Sequence, residues 1–546
     1  MTPVADHLDP YARATWTPAG AADARLPAHA AGWLRERTGL RDVRTPVVHP
    51  DVPESALPGD ARAALAAIVG DEHVRADART RLGRSGGLSY LDLLAHRGGR
   101  IDVPDAVVEP ADPDAVQRVI ESCVEHDIAV VPFGGGTSVV GGVKALRGDK
   151  AAVIALDLAR LDRLVSVDPV SRIAVLQAGV VAPDAERMLA AHGYTLGHFP
   201  QSFERATVGG FAATRSSGQA SAGYGRFEAM VEGVRVATPR GEWRLGVAPA
   251  SAAGPDLKQL VVGSEGAFGV ITEVALRVRP IPKAQRYEGL VFDGWAAGVA
   301  AVRALAQDGG RCSVVRLSDP QETEVGFTLK GGWKITALRR YLRARGVVEP
   351  CLLVLGWEGR DKADLAARRR ATLRLLSGYV SLGTAAGEAW RHGRFAGPRQ
   401  RDALMDAGVC VETLETATHW SRLDALRAAV RTALLDSLTT AGRRPIVACH
   451  ISHSYETGAS LYFTVLVPRS DDPVAQWTDA KRAACEAITG LGTISHHHAV
   501  GVDHAPYLAE EIGGLGVDVL ASVKRELDPT GVLNPGKLVV GRRPAR

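Results

Sequence analysis

The sequence predicts an α+β protein of two large domains behind a wrapping amino-terminal segment, on three observations. Hydrophobic residues make up 46% of the 546, enough to bury more than one core. Short apolar, β-branched runs alternate with stretches whose apolar residues recur at helical spacing. Glycine-rich loops punctuate the first large region.

Residues 1–102 alternate Pro-rich loops with amphipathic pieces such as Ala61 to Val69 and carry no chemical cluster, so they are expected to wrap or cap. Residues 103–282 form the first domain. There PDAVQRVIESCVEHD has helical periodicity, IAVVPF is a buried strand and GGGTSVVGG a loop. AAVIALDL and RIAVLQAGV read as further strands, and VEGVRVATPRGEWRLG as two strand-like halves about a Pro-Arg-Gly turn. Residues 283–546 form the second domain, with strands at VVRLSD, CLLVLGWEG and SLYFTVLVP and a long helix at LDALRAAVRTALLDSL. An antiparallel sheet with helices fits that half.

Lys and Arg number 65 against 61 Asp and Glu, with no block of like charge, which excludes a nucleic-acid surface and favours a small-molecule partner. The six cysteines form no C-x-x-C pair, so a reducing compartment is expected. No apolar run of about 18 residues occurs, and MTPVADHLDPYARA carries acids where a signal peptide is basic, then apolar. The chain is therefore read as cytoplasmic, with peripheral membrane contact and a homodimer left open.

The chemistry begins at Pro132-Phe133-Gly134-Gly135-Gly136-Thr137-Ser138, where three glycines and two hydroxyls follow an apolar strand. Glycine permits positive φ and close approach of N–H groups to an anion, which suits a diphosphate. No Lys follows at P-loop spacing, and the alternative is a tight turn between core strands. A second cluster strings Thr207, Gly209, Gly210, Ser216, Ser217, Gly218, Gly223, Tyr224 and Gly225 across GHFPQSFERATVGGFAATRSSGQASAGYGRF. A third, Val262 to Thr272, again mixes glycines with an apolar strand. Three such loops suggest a long, thin cofactor lying along the backbone.

PFGGGTSV, the T-V-G-G to Y-G-R segment and GSEGAFGVIT together resemble the flavin-binding domain of the vanillyl-alcohol oxidase type over roughly 103–282. The resemblance implies FAD, with contacts at Pro132, Gly134, Gly135, Gly136, Thr137, Ser138, Pro200, Ser202, Thr207, Gly209, Gly210, Ser216, Gly218, Tyr224, Glu265, Gly266 and Ile271. Neither GGGTSVVGG nor TVGGFAATRSSG holds a His, so a non-covalent flavin is expected.

Within that superfamily the chain is similar to the alkyldihydroxyacetonephosphate synthases from about Leu88 onward. The carrying residues are LSYLDLLAHRGGRIDVPDAVVEP, GHFP, SVVRLSD, VETLETATHW, CHISHSYETGASLYFTV and SHHHAVG. This likeness implies exchange of the acyl group of acyl-dihydroxyacetone phosphate for a long-chain alcohol, through a bond from flavin N5 to the substrate carbon. It implies Tyr462 with His496, His497 and His498 for proton transfer, Arg316 for the anionic substrate and His198 as a further pocket residue. Each has an ordinary structural alternative: a core tyrosine, an edge ion pair, a loop hydrogen bond. In an extended run His496 and His498 would share a face. HHHAVGVDH, with Asp503 and His504, also offers metal-ligand types, but adjacent residues seldom converge on one ion, and no metal is expected.

The competing reading is an FAD-dependent D-2-hydroxyacid dehydrogenase, which the ending LDPTGVLNPGKL resembles. Such enzymes carry metal-binding D-G-N-x-H and E-H-G-x-G motifs. Here Tyr462 stands in place of a ligand histidine and His497 in place of the glutamate. The chain departs from the synthase pattern at Pro200 to Ser202, at Ala499, and in an RRPAR ending unlike a peroxisomal address.

Overall fold

The computed structural model describes residues 11–16, 26–41, 45, 47, 48 and 50–539. The first ten residues and the RRPAR ending, used above for cellular address, lie outside these. Helix Pro113–Glu125 starts where the Asp112 side chain accepts from the Ala115 N–H and Pro113 fills the first turn. Its Val116, Val119, Ile120 and Cys123 are fully buried, each large apolar side chain contributing about 1.5–3 kcal/mol. The following strand, Ile128–Phe133, runs parallel to Ala152–Asp157, which pairs in turn with Ala106–Val108. Val74–Arg75 closes this four-stranded sheet, so part of the segment read as a wrapper is built into the domain. Helix Gly59–Val69 joins the same core through Ala61 and Leu65.

A five-stranded antiparallel sheet follows, ordered Leu164–Asp168, Ile173–Gln177, Val270–Arg277, Val231–Thr238 and Gly241–Leu245. The last two are the hairpin predicted about the Pro-Arg-Gly turn. The TVGG stretch, read as a glycine loop, is instead helix Val208–Thr214, capped by the Thr207 hydroxyl accepting from the Gly210 N–H at 3.3 Å. Small residues there let the helix sit close on the sheet: a Cβ on Gly209 would lie 2.5 Å from that of Ala178.

A seven-stranded antiparallel sheet begins at Ala284 and runs Val380–Leu382, Ala284–Asp293, Pro350–Gly359, Val314–Ser318, Ile446–Ile451, Gly458–Pro468 and Val409–His419. Strand alternation gives it two faces. Leu461, Phe463, Val465 and Val467 face helices Leu423–Leu438 and Pro473–Ile488, in a core that includes Leu426, Val430, Leu434 and Trp477. Tyr462, Thr464 and Leu466 face the first domain's loops across a cavity. The chain then returns: the Val130 N–H donates to the Val532 carbonyl, and the Asn534 N–H to the Val130 carbonyl, both at 2.8 Å. All six cysteines are buried and unpaired.

Candidate active site

The cavity, about 1020 Å3, is walled on one side by the glycine loops and on the other by the seven-stranded sheet. Gly134 to Ser138 line it, and among the described residues none of their five backbone N–H groups has a protein acceptor. The Arg13 guanidinium accounts for this orientation, donating to the carbonyls of Gly135 (3.2 Å) and Gly136. Because a trans peptide points its N–H opposite its C=O, the N–H groups of Gly136 and Thr137 are turned away from Arg13. The result is a cluster of donors suited to a diphosphate. The loop is pressed onto the next segment, since a Cβ on Gly135 would lie 2.0 Å from the Arg205 carbonyl oxygen. Gly135→Ala should therefore displace the backbone, and the purified variant should show a sharply reduced flavin-to-protein absorbance ratio and a lowered Tm.

Opposite this loop, the strand register sets Ser318 beside His450, His450 beside Tyr462, and Tyr462 beside Glu415, a row across four strands. The Tyr462 ring stacks on His450, with centroids 4.8 Å apart and planes at 21°. On its other side His497 lies at 6.1 Å and 17°, and His498 meets it edge-on at 5.7 Å. Burial pushes the Tyr462 hydroxyl up to about 12. Arg316 lines the cavity but is engaged: it donates to Ser318 Oγ (2.8 Å) and Glu322 (2.8 Å) and lies 3.1 Å from His450 Nδ1. Burial works against the Glu322 charge, but Arg316 and then His450 hold its carboxyl well below the usual range. Arg316 thus organises His450 beneath Tyr462. Arg401, which the sequence reading passed over, also lines the cavity, and its buried Nε lacks a hydrogen-bond partner among the described residues.

The histidine triplet is not extended. It bends around the Glu415 carboxylate, which accepts the N–H groups of His496, His497 and His498 and the Ser495 hydroxyl, all at 2.9 Å. Burial would raise Glu415, but the facing rings of His497, then His498 and His496, hold it well below the carboxylate range. His497 and His498, rather than His496 and His498, reach the cavity. Glu415 lies 3.3 Å from His497 Nδ1, favouring the proton there and leaving Nε2 for a substrate. Burial lowers His498 to about 3, so it is a neutral hydrogen-bonding group. A second glutamate, Glu265, pins the far end of the loop by accepting from the Val500 and Gly501 N–H groups at 2.9–3.0 Å. Between the two anchors Ala499 has φ 69°, a conformation that favours glycine. Ala499→Gly should stabilise the protein by roughly 0.5–1 kcal/mol, read as a small rise in Tm with turnover retained.

Pro132, Thr137, Ser138, Pro200, Ser202, Thr207, Gly209, Gly210, Ser216, Glu265, Gly266 and Ile271 all line the cavity. His198, His496, Gly218 and Tyr224 lie off its wall. His198 is buried edge-on to Phe211 and Phe227, within 3.0 Å of Ser216 Oγ, and burial lowers it to about 3. It supports a loop residue rather than touching substrate. His496 is turned back, its Nε2 2.6 Å from the Tyr455 hydroxyl and its ring stacked on His453. Gly218 lies against Phe199 and His198, where a Cβ would meet the Phe199 nitrogen at 2.8 Å. Tyr224 donates to Glu358 at 2.7 Å and fills the space beside Gly197, a core role. Asp503 pairs with Lys481 at 2.6 Å and His504 Nδ1 lies 2.8 Å from the Ala499 carbonyl, so neither joins the triplet as a ligand.

Residues 104–245 match the family described as FAD binding domain, and 281–538 match FAD linked oxidases, C-terminal domain. Over 492 residues the chain is 32% identical to alkyldihydroxyacetonephosphate synthase of Trypanosoma brucei brucei, covering 87% of this chain and 80% of that one. The chain belongs to the alkyldihydroxyacetonephosphate synthase family. The Dictyostelium discoideum synthase is 30% identical over 510 residues, 90% of this chain and 82% of its own. A solved alkyldihydroxyacetonephosphate synthase structure superimposes with a TM-score of 0.81 at 27% identity, covering 93% of this chain and 92% of that one. The cofactor of this synthase-family chain is FAD, and the free N–H groups of Gly134 to Ser138 fit its diphosphate.

Proposed function

We propose that the protein exchanges the acyl group of an acyl-dihydroxyacetone phosphate for a long-chain alcohol, forming an ether lipid precursor. One observation carries this: the cavity that holds Tyr462, His497 and His498 is also lined by Trp33, Val325, Phe327, Ile335, Leu338 and Leu404, an apolar chamber suited to an alkyl chain. Leu466 and Val411 continue the Tyr462 face into it, through the cluster they share with Leu34 and Leu404. A small hydroxyacid has no use for such a chamber.

Gly134 to Ser138 would hold the FAD diphosphate, and bound FAD supplies an electron-rich ring nitrogen for exchange at the substrate carbon. The flavin is taken to be untethered, because neither the GGGTSVVGG loop nor the TVGGFAATRSSG segment holds a histidine. The protein residues handle protons and charge. Tyr462, protonated at neutral pH, lies between His450 and His497 and donates its proton to the departing carboxylate. His497, oriented by Glu415, takes the proton of the incoming alcohol and returns it to Tyr462, so that the alcohol's proton ends on the released acid. Arg401, whose Nε is unshared, receives the phosphate that the sequence reading gave to Arg316. The apolar lining excludes water that would otherwise compete with the alcohol.

The test is mass spectrometry of purified protein incubated with palmitoyl-dihydroxyacetone phosphate and labelled hexadecanol. Labelled ether without net flavin bleaching is expected. Bleaching by D-lactate or D-2-hydroxyglutarate with no ether formed would overturn the reading.

A further inference from the structure

His496, which lies off the cavity wall, is the middle member of a hydrogen-bonded chain. Glu415 favours a proton on His497 Nδ1, which makes His496 Nδ1, 3.1 Å away, its acceptor. His496 then keeps its own proton on Nε2, 2.6 Å from the Tyr455 hydroxyl oxygen. Burial pushes that hydroxyl up to about 12, so it enters the chain protonated. The two ends of the chain open in different places. His497 lines the substrate cavity, whereas Tyr455 lines a second groove of about 610 Å3, whose wall includes the exposed His419, Glu510 and Glu511. His496 is buried and lines neither. Burial outweighs the pull of Glu415 on its ring, and His497 and Arg226 add to the effect, so His496 is held well below the usual imidazole range. Arg226 is fixed there, donating to the His496 carbonyl at 2.7 Å and pairing with Glu228 at 2.7 Å. A ring that cannot keep a charge can still pass a proton, provided that one enters at one nitrogen as another leaves from the other. His453, stacked on His496, stands outside the chain, because Ser217 Oγ and Ser221 Oγ lie 3.1 and 2.6 Å from its Nδ1.

We propose that His497, His496 and Tyr455 form a proton relay between the substrate cavity and water in the groove. The relay rests on the exchange reaction for its purpose, and on the chain of hydrogen bonds alone for its existence. As His497 Nε2 takes the alcohol's proton, three hops run outward: the Nδ1 proton passes to His496 Nδ1, the Nε2 proton of His496 to Tyr455, and the Tyr455 hydroxyl proton to water beside Glu510 and Glu511. As Nε2 gives its proton to Tyr462, the same hops run inward and restore both rings. Each run leaves His497 and His496 neutral, and the two cancel over a turnover, so the balance of the exchange is unchanged. The relay thus keeps His497 in exchange with water while the apolar chamber excludes water from the reacting atoms. Tyr455 and His496 touch no substrate; they act through His497.

The experiment removes the outer link from the full flavin-loaded chain. Tyr455→Phe keeps the ring, so flavin loading, Tm and the KM for palmitoyl-dihydroxyacetone phosphate and hexadecanol should stay at wild-type values. Its kcat should fall about tenfold or more, with a larger solvent deuterium isotope effect than wild type. In Tyr455→Ala, raising the concentration of imidazole buffer should restore turnover, because a small base can enter the vacated space and carry the proton; wild type should not respond. A readout without substrate is histidine-selective 15N NMR of the resting holoenzyme, with the signals assigned through His496→Gln and His497→Gln. There the exchange of the His497 Nδ1 proton with water should be at least about tenfold slower in Tyr455→Phe. Wild-type kcat and isotope effect in Tyr455→Phe, or unchanged proton exchange, would overturn the relay. So would a loss of turnover that buffer does not restore and that comes with a raised KM or lost flavin, which would make Tyr455 only a prop for His496. A wild type that makes no ether, yet shows the slowed exchange in Tyr455→Phe, would sink the proposed reaction and leave the relay standing.

Discussion

Tyr462→Phe should abolish ether formation in a protein that remains folded and flavin-loaded. The hydroxyl sits in a buried row between His450 and His497, and burial raises it to about 12, so at neutral pH it is present as a proton donor. Removing one positioned acid–base group costs about 10²–10⁴ in rate. Phenylalanine keeps the ring and both stacking contacts, so the change in stability should be within about 1 kcal/mol. Turnover with labelled hexadecanol, the flavin spectrum and Tm separate the effects. A variant retaining more than about a tenth of wild-type turnover would remove Tyr462 from the proton path.

Glu415→Gln should be the more damaging change, striking stability and turnover together. The carboxylate accepts three consecutive backbone N–H groups and a serine hydroxyl at a buried site. An amide oxygen can keep these four bonds, which all go to Oε1, but the NH2 then replaces the Oε2 that accepts from the His496 N–H at 2.9 Å and faces His497 Nδ1 at 3.3 Å, setting donor against donor at about 1–3 kcal/mol each. The triplet should lose its bend, with Tm falling by several degrees and ether formation by at least about 10². The pH dependence distinguishes this from a simple packing defect. The folded-state pKa of Glu415 is depressed, so its contribution is complete above about pH 4.5 and is lost as the pH falls from there toward the folded value. The stability gap between wild type and variant should therefore narrow as the pH drops below about 4.5. A gap that is constant with pH would mean that the ionised carboxylate is not what holds the loop.

Local pattern made much of this molecule legible. The helix Pro113–Glu125, the strand Ile128–Phe133 with its glycine loop, the hairpin at Pro239-Arg240 and the alternating strand Gly458–Pro468 follow from periodicity and turn chemistry within a few residues. Tyr462 is singled out by the family resemblance of YETGASLYFTV, and the alternation of its strand agrees, since Leu461 and Phe463 face a core and Tyr462 the cavity. Where the sequence reading erred, the deciding contact was remote. His198 looks like an accessible loop residue until Phe211 and Phe227 close over it. Tyr224, in a glycine-rich run, finds its hydroxyl partner at Glu358. Arg13, in a segment judged chemically silent, orients the glycine loop 122 residues away.

The sequence by itself determined the α+β class, the FAD cofactor and the synthase-family likeness, since each is written in residues adjacent along the chain. Only the tertiary structure decided which of three consecutive histidines face the cavity. Glu415 gave one available signal, a charged residue at an inward position of the alternating strand Val409–His419. What it binds could not be read locally, because its partners are backbone N–H groups some 81 to 83 residues further on. Backbone donors carry no residue identity, and a carboxylate that orders a loop through them leaves no motif; it becomes visible only when the bridge between Ala417 and Thr493 brings that loop against the strand carrying Glu415.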